Sequence, residues 1–148
     1  MATGSQIRTA LMKAGSALAV SLYRRTKGRV GATVVGGDTP VLLLTSTGRK
    51  TGVRRTRPLG YYRDGTRFVL CGSNGGSDTT PAWTLNLRSN PTATIEVGAD
   101  SMTVTASEAA GDEYERLWKA FTTANPNYLR YLDKTRRKLP LVVLEPIG

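Results

Sequence analysis

The sequence lacks histidine altogether and has one cysteine, Cys71, within an apolar run typical of a buried strand. These absences exclude a disulfide within the chain, zinc sites built on cysteine and histidine, and a catalytic triad that needs histidine. The commonest general acid–base residue is therefore missing. If the protein is an enzyme, we expect a bound cofactor to supply the difficult chemical step.

Long apolar runs and acidic residues are also scarce. No uninterrupted apolar run approaches the roughly 20 residues that a membrane span requires, and no convincing cleavage site follows residues 10–23, so we expect a cytoplasmic protein without a cleaved signal peptide. The chain has 21 lysines and arginines against 11 acids, a formal net charge of +10. This excess predicts an anionic partner, which could be nucleic acid, an anionic membrane surface or a small polyanion.

The length predicts one domain at residues 41–148, preceded by an amphipathic helix and a glycine-rich linker at residues 1–40. The helix is expected from the apolar stripe formed by Ile7, Leu11, Ala14, Leu18 and Leu22. Such a weak stripe favours packing on the helix's own domain or on a partner subunit. Contact with the inner face of the cell membrane is the alternative, because no acid precedes Asp38.

Short β-branched and aromatic runs predict about six strands in a mainly β (α+β) fold, with hairpin turns at Asp64-Gly65 and Gly98-Ala99-Asp100. Without βαβ alternation, they favour a small antiparallel barrel. The glycine pattern matches neither the dinucleotide fingerprint nor the Walker loop. The predicted strands are residues 41–45, 58–63, 67–71, 93–97, 102–106 and 139–144.

Two helices are predicted between these strands. Thr80 is the expected N-cap of the first, with Pro81 at the first helical position and an end before Asn90-Pro91. Asp112 is the expected cap of the second. The second helix has an apolar stripe typical of core contact, formed by Tyr114, Leu117, Trp118 and Phe121.

The turn Gly48-Arg49-Lys50-Thr51-Gly52, with Arg55 after it, combines cations, a hydroxyl and backbone N–H groups. That combination suits a phosphate group. The loop at residues 73–76 contains two glycines, which would let its backbone approach a planar ring closely.

Four other side chains admit two interpretations each. Trp83 could stack on a planar ligand, although core packing is favoured. Asn86 could lie on the helix surface or contact a ring edge. Tyr128 and Tyr131 lie three residues apart, hence on one helical face, where they line a site or cap the core.

Residues 42–93, LLLTSTGRKTGVRRTRPLGYYRDGTRFVLCGSNGGSDTTPAWTLNLRSNPTA, resemble the deazaflavin-dependent nitroreductase family of actinobacteria. The likeness extends over residues 41–145 and implies a split antiparallel β-barrel that uses reduced coenzyme F420, an 8-hydroxy-5-deazaflavin. This cofactor carries a phosphodiester and a carboxylate-rich oligoglutamate tail, whereas FMN carries one terminal phosphate. The excess of arginine suits the longer anion.

The resemblance also implies roles for individual residues, and no metal ligands are expected. Arg49, Lys50, Thr51 and Arg55 are expected to hold the phosphate and tail. Ser73 and Tyr131 are associated with acceptor reduction, with Tyr128 nearby. The deazaflavin ring is expected beside three segments, which comprise Thr56, Arg57, Pro58, Leu59, Gly60, Cys71, Gly72, Ser73, Asn74, Ala82, Trp83, Thr84, Leu85 and Asn86.

Arg57, Thr84 and Gly60 depart from the usual pattern of this family, in which an amide-type residue, an aromatic residue and a bulkier ring are common. These departures predict a more open and more charged pocket. Substrate preference is therefore not carried over from the family.

The predicted function is transfer of hydride from reduced F420 to a quinone, a nitroaromatic or a similar activated acceptor, with Tyr131 or Ser73 supplying a hydrogen bond or a proton. The alternatives are an FMN-binding split barrel, a non-enzymatic cofactor carrier and a nucleic-acid-binding barrel. Tyr61 and Tyr62 would serve the last, but most aromatic residues lie among apolar neighbours, so no nucleic acid partner is expected. The oligomeric state is left open.

Overall fold

The computed structural model describes residues 17–28, 39–73, 79–129 and 138–147. Within them, helix α1 spans residues 17–25, α2 spans Ala82–Ser89 and α3 spans Gly111–Ala124, and a short 3-10 helix covers Pro126–Tyr128. The strands form one antiparallel sheet, which confirms the α+β class with one strand more than expected. They are β1 Val41–Thr47, β2 Arg54–Gly60, β3 Tyr62–Asp64, β4 Arg67–Cys71, β5 Thr92–Val97, β6 Asp100–Glu108 and β7 Leu141–Pro146.

The sheet curls into a split barrel because its two edge strands are neighbours in the chain. The order across the sheet is β2-β1-β5-β6-β7-β4-β3, so β2 and β3 lie at opposite edges. Only Tyr61 separates these two strands in sequence. The edges must therefore meet, and β2 contacts β4 across the closure. The split antiparallel β-barrel is confirmed.

The extra strand comes from the segment predicted as one strand over residues 58–63, which was wrong. The chain leaves one edge of the sheet at Gly60 and joins the other edge at Tyr62. Between them, the Tyr61 N–H donates to Pro40 O at 2.9 Å. Gly60 was the local signal of this change of partner strand, since a glycine inside a strand pattern often marks a sharp bend.

Apolar side chains alternate between the barrel interior and its outer layers. Leu42 and Leu44 of β1 belong to the same interior cluster as Phe68 and Leu70 of β4, and all four are at most 1% exposed. The residues between them face outward, where α1 covers β1 and α3 covers β4 and β7. Burying a side chain of this size contributes about 1.5–3 kcal/mol, so the interior is the main source of stability.

Helix α3 packs its predicted stripe against the sheet, which confirms the core assignment. Tyr114, Leu117 and Phe121 are buried, and Trp118 stacks on Tyr114 with ring centroids 6.1 Å apart. The Tyr114 hydroxyl donates to Leu139 O at 2.6 Å. Burial raises the pKa of Tyr114 to about 12, so this hydroxyl stays protonated and keeps its bond at neutral pH.

Both predicted N-caps were wrong by one or two residues. Pro81, and not Thr80, is the N-cap of α2, and Ala110 precedes α3. Neither cap makes a side-chain hydrogen bond. Asp112 lies in the first turn of α3, where its negative charge interacts favourably with the helix dipole. The end of α2 at Asn90 was predicted correctly.

Helix α1 packs on the outer face of β1 through Val20 and Tyr23. Tyr23 is 2% exposed. Its hydroxyl donates to Val41 O at 3.1 Å and accepts the Gly98 N–H at 2.7 Å. Packing of the helix on its own domain is thus confirmed for residues 17–25.

The face that α1 uses differs from the predicted stripe. Leu18 and Leu22 are 62% and 39% exposed. The hydrogen bonds of Tyr23 fix the rotation of the helix, and a single buried hydroxyl outweighs a weak apolar stripe. Ile7, Leu11 and Ala14 lie outside the described residues. No helix of the described segments is both long and apolar enough to cross a membrane.

Both predicted hairpins are confirmed. Asp64 pairs with Arg67 in the β3–β4 hairpin, and Val97 pairs with Asp100 in the β5–β6 hairpin. Gly98 has φ +61°, a conformation that glycine adopts without strain.

Candidate active site

The turn between β1 and β2 has a fixed backbone with two free donors. The Gly48 N–H donates to Val53 O, and the Gly52 N–H donates to Gly48 O, both at 2.8 Å. The Val53 N–H donates to Thr51 Oγ1 at 3.2 Å. Within the part of the chain that the structure describes, the N–H groups of Lys50 and Thr51 have no acceptor. Adjacent unpaired N–H groups in a turn form an anion-binding concavity.

Asn86 joins this turn to helix α2. Its Oδ1 accepts the Arg49 N–H at 3.1 Å, and the residue is 5% exposed. The interpretation of Asn86 as a helix-surface residue was therefore wrong. Its position three residues after Trp83 gives no signal of this bond, because the partner lies 37 residues away.

Unpaired cations surround the turn and continue along β2. Five lysine and arginine side chains at the turn and along β2 have no carboxylate within ion-pair distance in the described segments. By contrast, Arg24, Arg67, Arg88 and Arg116 each form an ion pair. All of the unpaired set are exposed, so their charges are available to a ligand. They are Arg49, Lys50, Arg54, Arg55 and Arg57.

The register of β1 and β2 separates these arginines by face. Arg55 lies opposite Ser46 and Arg57 opposite Leu44, both on the interior side of β1. Arg54 lies on the other face, where its Nη2 donates to Thr94 Oγ1 at 3.1 Å. Directly paired residues share a face of a sheet, so Arg55 and Arg57 project on the barrel side.

The segment expected beside the ring therefore presents its residues alternately. Leu59 packs against the interior cluster. On the opposite face, Thr56 Oγ1 lies 2.7 Å from Thr45 Oγ1, and Pro58 pairs with Leu43. A planar ring can meet only one of these two sets directly.

The end of β4 passes closely against α2. The Gly72 N–H donates to Pro140 O at 2.9 Å, and a Cβ at Gly72 would lie 2.7 Å from Pro140 Cγ and 3.0 Å from Thr84 Oγ1. Thr84 is 1% exposed, and its hydroxyl has no hydrogen-bond partner among the described residues. Cys71 and Ser73 are buried beside it, and Asn74 lies outside the described residues.

Helix α2 divides its side chains between the core and the surface. Trp83 is 5% exposed within the interior cluster, which confirms the core interpretation of this indole. Ala82 is exposed and Leu85 is partly buried. Any ligand at this helix would therefore meet its backbone and small side chains more readily than the tryptophan ring.

Tyr128 approaches the end of β2. Its ring meets Phe121 edge-on, with centroids 4.7 Å apart. A Cβ at Gly60 would lie 2.9 Å from the Tyr128 hydroxyl and 2.7 Å from Thr39 Cγ2. The space beside Gly60 is thus filled by these two side chains, so the glycine by itself does not open the pocket. Tyr131 lies outside the described residues.

A cavity that the sequence did not predict lies between α2 and β6. Its volume is about 230 Å³, and Thr84, Leu87, Ala106 and Val142 contribute to its walls. Thr84 is the residue it shares with the predicted site. Among the described residues, no cluster of His, Cys, Asp or Glu could hold a metal ion.

Comparison with known proteins places this chain in a family. The model of the F420H(2)-dependent quinone reductase family matches residues 16–146. An F420H(2)-dependent quinone reductase of Mycobacterium tuberculosis strain H37Rv is 40% identical over 127 residues, which cover 84% of this chain and 85% of that protein.

Two solved structures resemble the chain in fold, and the first also carries the name of an F420-dependent enzyme. A structure of an F420-H2 dependent reductase is 33% identical with a TM-score of 0.66, covering 74% of this chain and 100% of the other. A domain-swapped dimer is 29% identical with a TM-score of 0.68, covering 93% and 99%. The chain belongs to the F420H2-dependent quinone reductase family, and it is an oxidoreductase whose cofactor is coenzyme F420.

Proposed function

We propose that this chain holds the phosphate of F420 at the turn from Gly48 to Gly52 and the deazaflavin ring beside the ends of β2 and β4 and helix α2. One observation carries the proposal. The Lys50 and Thr51 N–H groups are unpaired within the described residues and lie among exposed cations that form no ion pair there. A multiply anionic ligand would satisfy both sets at once.

The cations after the turn suit the cofactor's tail. Arg54, Arg55 and Arg57 continue from the turn along an edge strand and are exposed. Carboxylates of an oligoglutamate tail could pair with them in water, where each contact is weak and screened by salt. Tail binding should therefore add affinity that falls as ionic strength rises.

The part of the proposed site beside the ring is formed where helix α2 approaches the backbone at Gly72 and where the Thr84 hydroxyl lies. Gly72 is buried and lets Thr84 and Pro140 approach its backbone closely, and Thr84 Oγ1 has no hydrogen-bond partner among the described residues. A polar ring edge that reached Thr84 would supply the missing hydrogen bond. These residues fit a planar heterocycle with polar edges.

Reduced F420 supplies the hydride when it is bound. The chain's own part is to orient the acceptor, to exclude water and to stabilise charge that develops on an acceptor oxygen. Ser73, Tyr128 and Tyr131 are the hydroxyl residues proposed for this task. A tyrosine is a poor acid near neutral pH, so orientation and charge stabilisation are its expected contributions, and water can supply the proton.

The acceptor class follows the family's reaction. We propose a quinone as the preferred acceptor, with nitroaromatics as alternatives that can accept the same hydride. We do not expect the acceptor to carry a positive charge, because the cations at this edge of the sheet would repel it.

Parallel equilibrium titrations test the cofactor assignment. F420, FMN and single-stranded DNA are each titrated into the protein at low and high salt. We expect F420 to bind more tightly than FMN and to weaken with salt, since its tail adds carboxylates. Equal affinity for F420 and FMN, independent of salt, would favour the FMN barrel, and DNA binding tighter than F420 binding would favour the nucleic-acid alternative.

Turnover separates an enzyme from a cofactor carrier. The protein is supplied with reduced F420 and a soluble quinone, and oxidation of the cofactor is followed by absorbance. We expect catalytic oxidation that depends on the quinone. Tight F420 binding without turnover on any quinone or nitroaromatic would support the carrier.

We further propose cytoplasmic action at the inner face of the membrane. Leu18 and Leu22 project from α1 away from the barrel, and Arg25 and Lys27 are exposed nearby. An apolar face flanked by cations suits an anionic lipid surface. Sedimentation with anionic liposomes should carry the wild-type protein down and leave Leu18→Ser/Leu22→Ser in solution; equal sedimentation of the two would contradict the proposal.

A further inference from the structure

We infer that Asn86 is a positioning residue for the phosphate end of the cofactor and does not contact the deazaflavin ring. The inference rests on the proposed function, which assigns the phosphate to the neighbouring turn. Asn86 is buried at 5% exposure, and its Oδ1 accepts the Arg49 N–H at 3.1 Å.

This bond decides which donors of the turn remain for a ligand. It turns the Arg49 N–H toward α2, while the next two N–H groups, of Lys50 and Thr51, have no acceptor in the described segments. Anion-binding turns depend on the direction of their N–H groups. Loss of the Asn86 acceptor would let the Arg49 peptide rotate and would disorganise the neighbouring donors.

The same helix contacts a second part of the site. Thr84, two residues before Asn86, lies against Gly72 at the end of β4. Helix α2 therefore fixes the separation between the phosphate turn and the segment beside the ring. A rigid separation is what a cofactor with a phosphate at one end and a reactive ring at the other requires.

A phosphate-free ligand separates positioning from ring contact. Binding of F420 is compared with binding of the deazaflavin riboside that lacks the phosphate and tail. For Asn86→Ala we expect the F420 dissociation constant to rise about tenfold, or 1.4 kcal/mol, while the riboside changes less than about twofold. An equal loss for both ligands, or a loss for neither, would overturn the inference.

The chain supplies a matched control. Asn90 is also in the α2 region, and its Oδ1 also accepts a backbone N–H, that of Thr92 at 3.3 Å. It is exposed and not hydrogen-bonded to the turn. Asn90→Ala should leave both dissociation constants unchanged, and an F420 effect equal to that of Asn86→Ala would refute the specific role of Asn86.

Two further measurements keep the inference testable if Asn86→Ala folds poorly. A Cβ at Gly48 would lie 2.8 Å from Thr51 Oγ1, so Gly48→Ala disturbs the turn from the other side and should reproduce the selective loss of F420. Hydrogen exchange of the Arg49 amide in the apo protein should accelerate in Asn86→Ala and not in Asn90→Ala. If the wild type binds neither ligand, the proposed function fails, and unchanged exchange at Arg49 would overturn the inference independently.

Discussion

The backbone of Gly60 makes room for the hydroxyl of Tyr128, because a Cβ at position 60 would lie 2.9 Å from that oxygen. Tyr128 is held from the other side by the edge of the Phe121 ring. The position of the hydroxyl therefore depends on the absence of a side chain in β2. In the proposed site, this hydroxyl is one of those assigned to the acceptor.

Gly60→Ala should displace Tyr128 and raise KM for a quinone about tenfold, the scale of a small change in a binding pocket. Cofactor affinity should change little, since the phosphate turn is at the other end of β2. Steady-state kinetics and an F420 titration measure the two quantities. The double variant Gly60→Ala/Tyr128→Phe lacks the contacting oxygen, so its KM should equal that of Tyr128→Phe alone; a further rise above Tyr128→Phe would assign the effect to Thr39 or to the backbone.

Arg49→Ala/Lys50→Ala should raise the F420 dissociation constant at least tenfold, about 1.4 kcal/mol. Both side chains are exposed and without an ion pair in the described residues, so their removal should not disturb the fold. Fluorescence titration at two salt concentrations should also show a smaller salt dependence. Lys119→Ala, on the exposed side of α3, is the control. A rise of less than twofold in the F420 dissociation constant of the double variant would show that the phosphate binds elsewhere.

Tyr23→Phe should lower the free energy of unfolding by about 1–3 kcal/mol, because it leaves the Gly98 N–H and Val41 O without their buried partner. Urea unfolding followed by circular dichroism measures the change. Arg24→Ala is the comparison, since its ion pair with Glu96 is partly exposed and is worth at most about 1 kcal/mol. A larger loss of unfolding free energy for Arg24→Ala than for Tyr23→Phe would contradict this prediction.

Asp64→Asn should destabilise the protein at neutral pH and have no effect in strong acid. Hydrogen bonds from Arg116 and then Arg67 hold the pKa of Asp64 below its usual range. A lowered carboxyl pKa contributes stability above the unfolded value, about 3.9, that is lost as pH falls through the folded pKa.

With partly exposed partners, we expect a difference of about 0.5–1 kcal/mol at pH 7 that disappears once the pH falls below the lowered pKa of folded Asp64. Urea is the suitable denaturant, because guanidinium would screen the charges. Asp100→Asn, at an exposed hairpin position, serves as the control. A difference between Asp64→Asn and wild type that persists in strong acid would show that the pair is not the cause.

Sequence reasoning predicted those features that local patterns determine. The α3 stripe and both hairpins depend on residues within a few positions of one another, so they can be predicted from the sequence. The likeness to a deazaflavin family identified the cofactor. Residues such as Trp83 could be assigned to the core from size alone.

Features that depend on distant partners were missed. The residues around Asn86 in the sequence do not predict its bond to Arg49, and those around Gly60 do not predict its contact with the Tyr128 hydroxyl. The buried face of α1 was also misassigned, because a hydrogen bond from Tyr23 to β1 determined its rotation. The roles of Ser73 and Tyr131 stay predictions.

The position of β7 has a consequence for synthesis of the protein. This strand is the last in chain order among those described, yet it lies in the middle of the sheet between β6 and β4. During synthesis on the ribosome, the edge of β4 that pairs with β7 has unpaired N–H and C=O groups until β7 has been made. Barrel closure is therefore expected only after β7 has left the exit tunnel, and until then the exposed strand edges are a target for chaperones.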